Sequence, residues 1–117
     1  MALNTQGLSL LVEQIQFLRN SADPDMTSLA LVMFIEVAAA PFDQGVKMAK
    51  LIDKFDLNPS TCSRAVYSLS SGLVRAGQPR KGLGLMVTDF SESDRRSLTV
   101  YLTQKGQLLA KGLMQVK

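Results

Sequence analysis

Histidine is absent from the 117 residues, and cysteine occurs once. Those two shortages exclude the His- and Cys-rich zinc sites, a Ser-His-Asp triad, a Cys-His dyad and an internal disulfide. A long hydrophobic run is missing too. The longest apolar stretch, residues 29–42, is interrupted by Glu36 and is shorter than the ~20 residues that cross a bilayer, so no membrane partner is expected. Residues 1–9 lack a basic stretch ahead of their apolar run, and no small-residue cleavage site follows, so no secretory signal is visible. A cytoplasmic location is expected, and a single cysteine fits a compartment where thiols stay reduced. Carboxylates poised as an acid-base pair are also missing, and no nucleophile stands beside a base. Residues 82–84, Gly-Leu-Gly, are not a phosphate-binding loop, because no Gly-Lys-Ser/Thr follows. The sequence therefore reads as a non-enzyme, with no catalytic, metal or cofactor site expected.

Basic side chains are scarce at one end. Residues 1–43 hold Arg19 against Glu13, Asp23, Asp25, Glu36 and Asp43, a net −4, whereas the remainder holds twelve basic and five acidic side chains, a net +7. Such asymmetry fits a fold that faces a polyanion on one side, and it also fits a solvated basic face.

What is present suffices for a core: 46% of residues are hydrophobic and 20% charged, consistent with one domain over residues 1–117. Leu8, Leu11, Val12, Ile15, Phe17 and Leu18 recur at helical spacing, which predicts an amphipathic helix over about 8–20. Pro24 breaks the chain, and Thr27 or Ser28 can cap a second helix that Pro41 ends. This helix is apolar nearly all round and reads as the central buried one. Residues 46–55 predict a short helix with Val46, Ala49, Ile52 and Phe55 inward and Lys47, Lys50 and Lys54 opposite. Asn58-Pro59 is a strong helix start, since Asn accepts orphan N–H groups and Pro at the first helical position has none to lose. That helix sorts Cys62, Ala65, Val66 and Leu69 to one side, and Ser60, Arg64, Tyr67 and Ser71 to the other. Two short helices joined by a tight turn make a helix-turn-helix over about 46–71.

Residues 71–84 read as a Gly-rich basic loop with Arg75, Arg80 and Lys81. Residues 85–90 and 98–102 then read as strands of a hairpin, a wing over about 84–103, whose charged tip carries Glu92, Asp94, Arg95 and Arg96. A second register would begin the first strand at Leu73 and lengthen the wing. Thr103 caps a last helix over 104–116, with Leu108, Leu109, Leu113 and Met114 apolar. The expected fold is mainly α with a small β-hairpin, a winged helix-turn-helix of the α+β kind. Its helix can read base edges in a major groove while the thin hairpin reaches phosphates or the minor groove.

Two stretches resemble the MarR-type bacterial regulators. Residues 51–69, LIDKFDLNPSTCSRAVYSL, are similar to that family's recognition-helix opening, commonly Asp-Pro-Ser-Thr-Val-Ser-Arg. Residues 94–108, DRRSLTVYLTQKGQL, are similar to its wing strand and the Leu-Thr-x-Lys-Gly lead-in to the final helix. The resemblance implies a sequence-specific regulator of transcription that binds double-stranded DNA as a homodimer, and places Ser60, Thr61, Ser63 and Arg64 at DNA. It places Asp94, Arg95 and Arg96 at the wing, where an Arg held by a nearby Asp enters the minor groove. Tyr67, on the same helix face as Arg64, and the loop residues Arg80 and Lys81 complete the expected DNA-binding set.

The chain departs from the family pattern at Asp56, where Gly is usual, at Ile52, where Ala is usual, and in a longer link over 71–84. The sequence stops at Lys117, where family members continue through a longer final helix and a further one that build their dimer. Leu8, Leu11, Ile15, Leu18, Leu109, Leu113 and Met114 are the residues expected to cover a partner subunit instead. Cys62 reads as a packed core thiol with a redox sensor as the alternative, and the six Met as core filler or the wall of a pocket for an aromatic effector. Lys47, Lys50 and Lys54 read equally as a solvated face or as phosphate contacts. A competing function is a winged-helix module of phage or plasmid origin that binds a host protein.

Overall fold

In a computed structural model that describes residues 5–70, 82–91 and 94–117, the described residues form five helices and three strands. They follow in the order α1 (Thr5–Ser21), α2 (Ser28–Ala39), β1 (Val46–Lys47), α3 (Met48–Lys54), α4 (Pro59–Leu69), β2 (Met86–Ser91), β3 (Asp94–Leu102) and α5 (Gln104–Met114). The antiparallel sheet has the order β1-β3-β2, so the last strand is central. Expected and observed fold class agree: this is a mainly helical winged helix-turn-helix.

The helix starts obey local capping chemistry. Thr27 Oγ1 accepts from the Ala30 N–H at 3.1 Å, and Thr103 Oγ1 accepts from the Gly106 N–H at 3.1 Å. Ala40 has left the helix, at ψ 158, and Pro41 follows. Ala30, Met33, Phe34, Val37 and Ala38 of α2 form the middle of the core, joined by Leu18 of α1, Leu51 of α3, Val66 and Leu69 of α4, and Leu113 of α5. Val32 and Ile35 are exposed, so α2 is buried on one side and not all round.

The predicted helix over 46–55 is corrected at its start. Gly45 adopts a left-handed φ of +65, and a Cβ there would fall 2.5 Å from the Val100 carbonyl oxygen. The chain therefore turns tightly against β3, and Val46 pairs with Val100 and Lys47 with Thr99. The helix begins only at Met48. Its inward residues change accordingly: Leu51 is fully buried, Ile52 and Phe55 are half-buried and Ala49 is exposed.

The wing also differs from its expected outline. Strand β3 begins at Asp94, so Asp94, Arg95 and Arg96 are its first residues and not part of a loop. The pairing jumps from Phe90 with Leu98 to Ser91 with Asp94, which leaves residues 95–97 as a bulge. Leu73, the start of the second register, lies outside the described residues.

A candidate nucleic-acid interface

The outer face of α4 is set from both of its ends. At the start, Asn58 Oδ1 accepts from the N–H groups of Ser60 (2.9 Å) and Thr61 (3.3 Å) and from the Ser60 hydroxyl (2.6 Å). Before it, the turn from α3 closes as a Schellman motif. Asp56 takes φ +50, its N–H donates to the Asp53 carbonyl at 3.3 Å, and the Leu57 N–H donates to the Ile52 carbonyl at 2.9 Å. Ile52 and Leu57, the two ends of that motif, both pack against the core. The left-handed position that family members fill with Gly is thus kept by Asp, one of the side chains that tolerate it.

Cys62, Val66 and Leu69 are buried, which fixes the helix rotation. Ser60, Arg64 and Tyr67 consequently lie together within an arc of about 60° on the exposed side. Tyr67 is 55% exposed. Arg64 Nε donates to the Ser60 carbonyl at 3.4 Å, which lays the side chain along the helix, and no carboxylate among the described residues pairs with it. Thr61 and Ser63 are half-buried at the margins of this face. An unpaired guanidinium beside a hydroxyl and a phenol, on a rigid convex helix, is suited to donate hydrogen bonds to base edges and phosphates.

At its end, α4 is bound by a strap that sequence reasoning missed. The N–H groups of Leu83, Gly84 and Leu85 donate to the carbonyls of Ser68 (3.1 Å), Ser70 (3.1 Å) and Leu69 (2.7 Å). These are carbonyls that a helix terminus leaves without internal partners. Residues 83–85 run directly into β2, so α4 and the hairpin of β2 and β3 share one backbone junction. The available sequence signal was the Thr103-Gln104-Lys105-Gly106 motif, whose groups grip this strap from the other side: Thr103 Oγ1 donates to the Gly84 carbonyl at 2.6 Å and Lys105 Nζ to the Leu83 carbonyl at 3.0 Å.

The three lysines of 46–55 separate. Lys54 Nζ makes a two-oxygen ion pair with Glu36, at 2.8 and 2.7 Å, tying α3 to α2. Lys54 thus lies on the solvated face, engaged in this ion pair. Lys47 and Lys50 have no such partner among the described residues and line an open cleft of about 670 Å3 that also holds Asp43, Asp89, Thr99 and Tyr101. The acidic residues in that cleft keep it from being a uniformly basic surface.

Cys62 is fully buried, its Sγ 3.4 Å from Met48 Sδ, and burial pushes the thiol above its ordinary pKa. It is the packed core thiol expected, without the exposure or lowered pKa of a sensor. Leu18 and Leu113, expected at a subunit contact, are in the chain's own core; Leu8, Leu11 and Met114 are exposed, and Ile15 and Leu109 are half-buried. Arg80 and Lys81 lie outside the described residues, while Asp94, Arg95 and Arg96 have their strand positions described. No cluster of three potential metal ligands occurs among the described residues, and no helix there is long and apolar enough to cross a membrane. An open apolar hollow of about 410 Å3 is walled by Ala38, Pro41, Phe42 and a single methionine, Met114.

No protein-family model and no curated protein matches the sequence. Solved structures do match in fold. The S. aureus MepR–DNA complex superposes with a TM-score of 0.68 at 14% identity, covering 96% of this chain and 78% of that one. A transcriptional regulator from Thermotoga maritima reaches 0.70 at 17% identity, over 96% and 67% of the two chains. A MarR transcriptional regulator from Methanosarcina mazei reaches 0.60 at 21% identity, over 96% and 72%. The fold is therefore that of the MarR-type winged-helix regulators.

Proposed function

We propose that this chain is a non-enzymatic, MarR-type transcription regulator that binds double-stranded DNA as a homodimer. The observation that carries the reading is the outer face of α4, where Ser60, Arg64 and Tyr67 are presented together on a helix capped at both ends. In this reading α4 enters the major groove with Arg64 at a base edge, Ser60, Thr61 and Ser63 at phosphates, and Tyr67 alongside. The wing, with Asp94, Arg95 and Arg96, follows the minor groove, and Arg80 and Lys81 add phosphate contacts. MepR, which shares the fold, was solved bound to DNA, and that supports the assignment.

The second subunit covers the exposed or half-buried apolar residues of the terminal helices, Leu8, Leu11, Ile15, Leu109 and Met114. A two-fold dimer of this kind would set two recognition helices about one DNA turn, ~34 Å, apart. The hollow beside Met114 and Phe42 is where a small aromatic effector would sit. Selection of bound duplexes from a random library tests the proposal. A two-fold symmetric consensus is expected; no enrichment refutes the regulator reading and favours a winged-helix module that binds protein.

A further inference from the structure

The strap between α4 and the wing is held on both of its edges. Its N–H groups face α4, as described above. Its carbonyls face the start of α5: Leu83 O accepts from Lys105 Nζ at 3.0 Å, Gly84 O from the Thr103 hydroxyl at 2.6 Å, and Leu85 O from the Thr103 N–H at 3.0 Å. The Thr103 hydroxyl is used twice, since it also accepts from the Gly106 N–H and so caps α5. Gly106 completes the fit, because a Cβ there would collide with the Leu85 carbonyl. Three residues of chain are thus fixed between the C-terminus of the recognition helix and the N-terminus of α5. Lys105 is exposed, and its ammonium is directed at a backbone carbonyl of its own chain.

We propose that Thr103 and Lys105 are positioning residues for the recognition helix, setting its C-terminal end through the 83–85 strap and making DNA discrimination depend on where α5 sits. The proposal rests on the DNA-binding reading above. It assigns these residues no contact with DNA. The shared strap gives a rigid reason for such dependence: α4 cannot rotate about its capped start without breaking bonds to a segment that α5 also holds. Tilting the outer face moves Arg64 and Tyr67 relative to base edges, which penalises the selected duplex, whereas phosphate attraction to a random duplex tolerates the change.

The test uses the full chain, the duplex selected by the wild type, and a random duplex of equal length. Lys105→Met is expected to weaken the selected duplex by about fivefold, the worth of one hydrogen bond of this kind. Affinity for random duplex and the salt dependence should stay at wild-type values, and Lys105→Arg, which can reach the same carbonyl, should restore discrimination. Thr103→Val removes two hydrogen bonds and should lower discrimination further; because it also uncaps α5, thermal melts accompany it, and the exposed Lys105 variant decides the question if Thr103→Val does not fold. Unchanged discrimination in Lys105→Met overturns the proposal. So does an equal loss on both duplexes, or a salt slope flattened by about 0.9, which would make Lys105 a phosphate contact. Failure of the wild type to select any duplex is a different result, since it removes the DNA-binding reading itself.

Discussion

The turn between α3 and α4 offers a prediction in which backbone and side-chain effects separate cleanly. Asp56 is exposed, sits at φ +50, and its carboxylate makes no hydrogen bond to another described residue. A substitution there therefore acts mainly through the backbone. An L-residue in the left-handed region costs roughly 1–2 kcal/mol, less for Asp and Asn, whose short polar side chains tolerate it. Gly removes that strain but loses roughly 0.5–1 kcal/mol through the greater freedom of its unfolded chain. Asp56→Gly is accordingly expected to stabilise by up to about 0.5 kcal/mol, Asp56→Asn to be neutral, and Asp56→Ala to destabilise by about 1 kcal/mol. That Ala falls below Gly, Asp and Asn is the firm part of the prediction. Urea unfolding followed by far-ultraviolet circular dichroism, at fixed protein concentration and with a common m-value, measures it. If Ala proves as stable as Gly, the turn does not require the left-handed conformation and the account of how α4 is set is wrong.

Arg64→Ala should cost about 1–3 kcal/mol on the selected duplex and less on a random one, read by titration at fixed salt. Replacing Arg80 and Lys81 together by Gln should flatten the salt dependence by about 0.9 per phosphate lost, with the preferred sequence unchanged. Lys54→Met should leave the slope alone and instead lower stability by up to about 1 kcal/mol, because half-exposed Lys54 holds Glu36 against α3. Cys62 should resist thiol reagents until the chain unfolds. Its raised pKa also fixes a sign: the unfolded thiol loses its proton first as pH rises, so stability is level below the ordinary thiol range and falls above it. An alkaline loss that persists unchanged in Cys62→Val would assign it to other groups.

Local chemistry made much of this fold legible. Thr27, Asn58-Pro59 and Thr103 announce helix starts because a cap and the N–H groups it satisfies lie within three residues of one another. The apolar spacing of Cys62, Val66 and Leu69 fixed the face of α4 in the same way, and with it the grouping of Ser60, Arg64 and Tyr67. What escaped was decided at a distance. Val46 fits a helix by its neighbours, and only its partner Val100 makes it a strand residue. Leu18 and Leu113 fit an exposed apolar stripe until α1 packs on α5 and α5 on α2. Lys54 needed Glu36, from another helix, to lose its freedom. The strap was invisible for another reason: it works through backbone N–H and carbonyl groups, which every sequence has, and only Thr103 and Lys105 mark it with side chains.

The same junction has a consequence for how this protein can change. Ser70 and Gly84 are joined by a hydrogen bond, so the chain departs from and returns to one place at the end of α4. Residues 71–81 lie between them in sequence and outside the described residues. Loop-closure entropy grows slowly with length, by about 0.6 kcal/mol for each doubling. Insertion, deletion or wholesale exchange within 71–81 should therefore leave α4 and the wing strands in place, while the strap, hydrogen-bonded on both edges, should tolerate almost no such variation. The sequence is thereby divided into a stretch whose length can change at little cost and a junction, 83–85, whose length cannot.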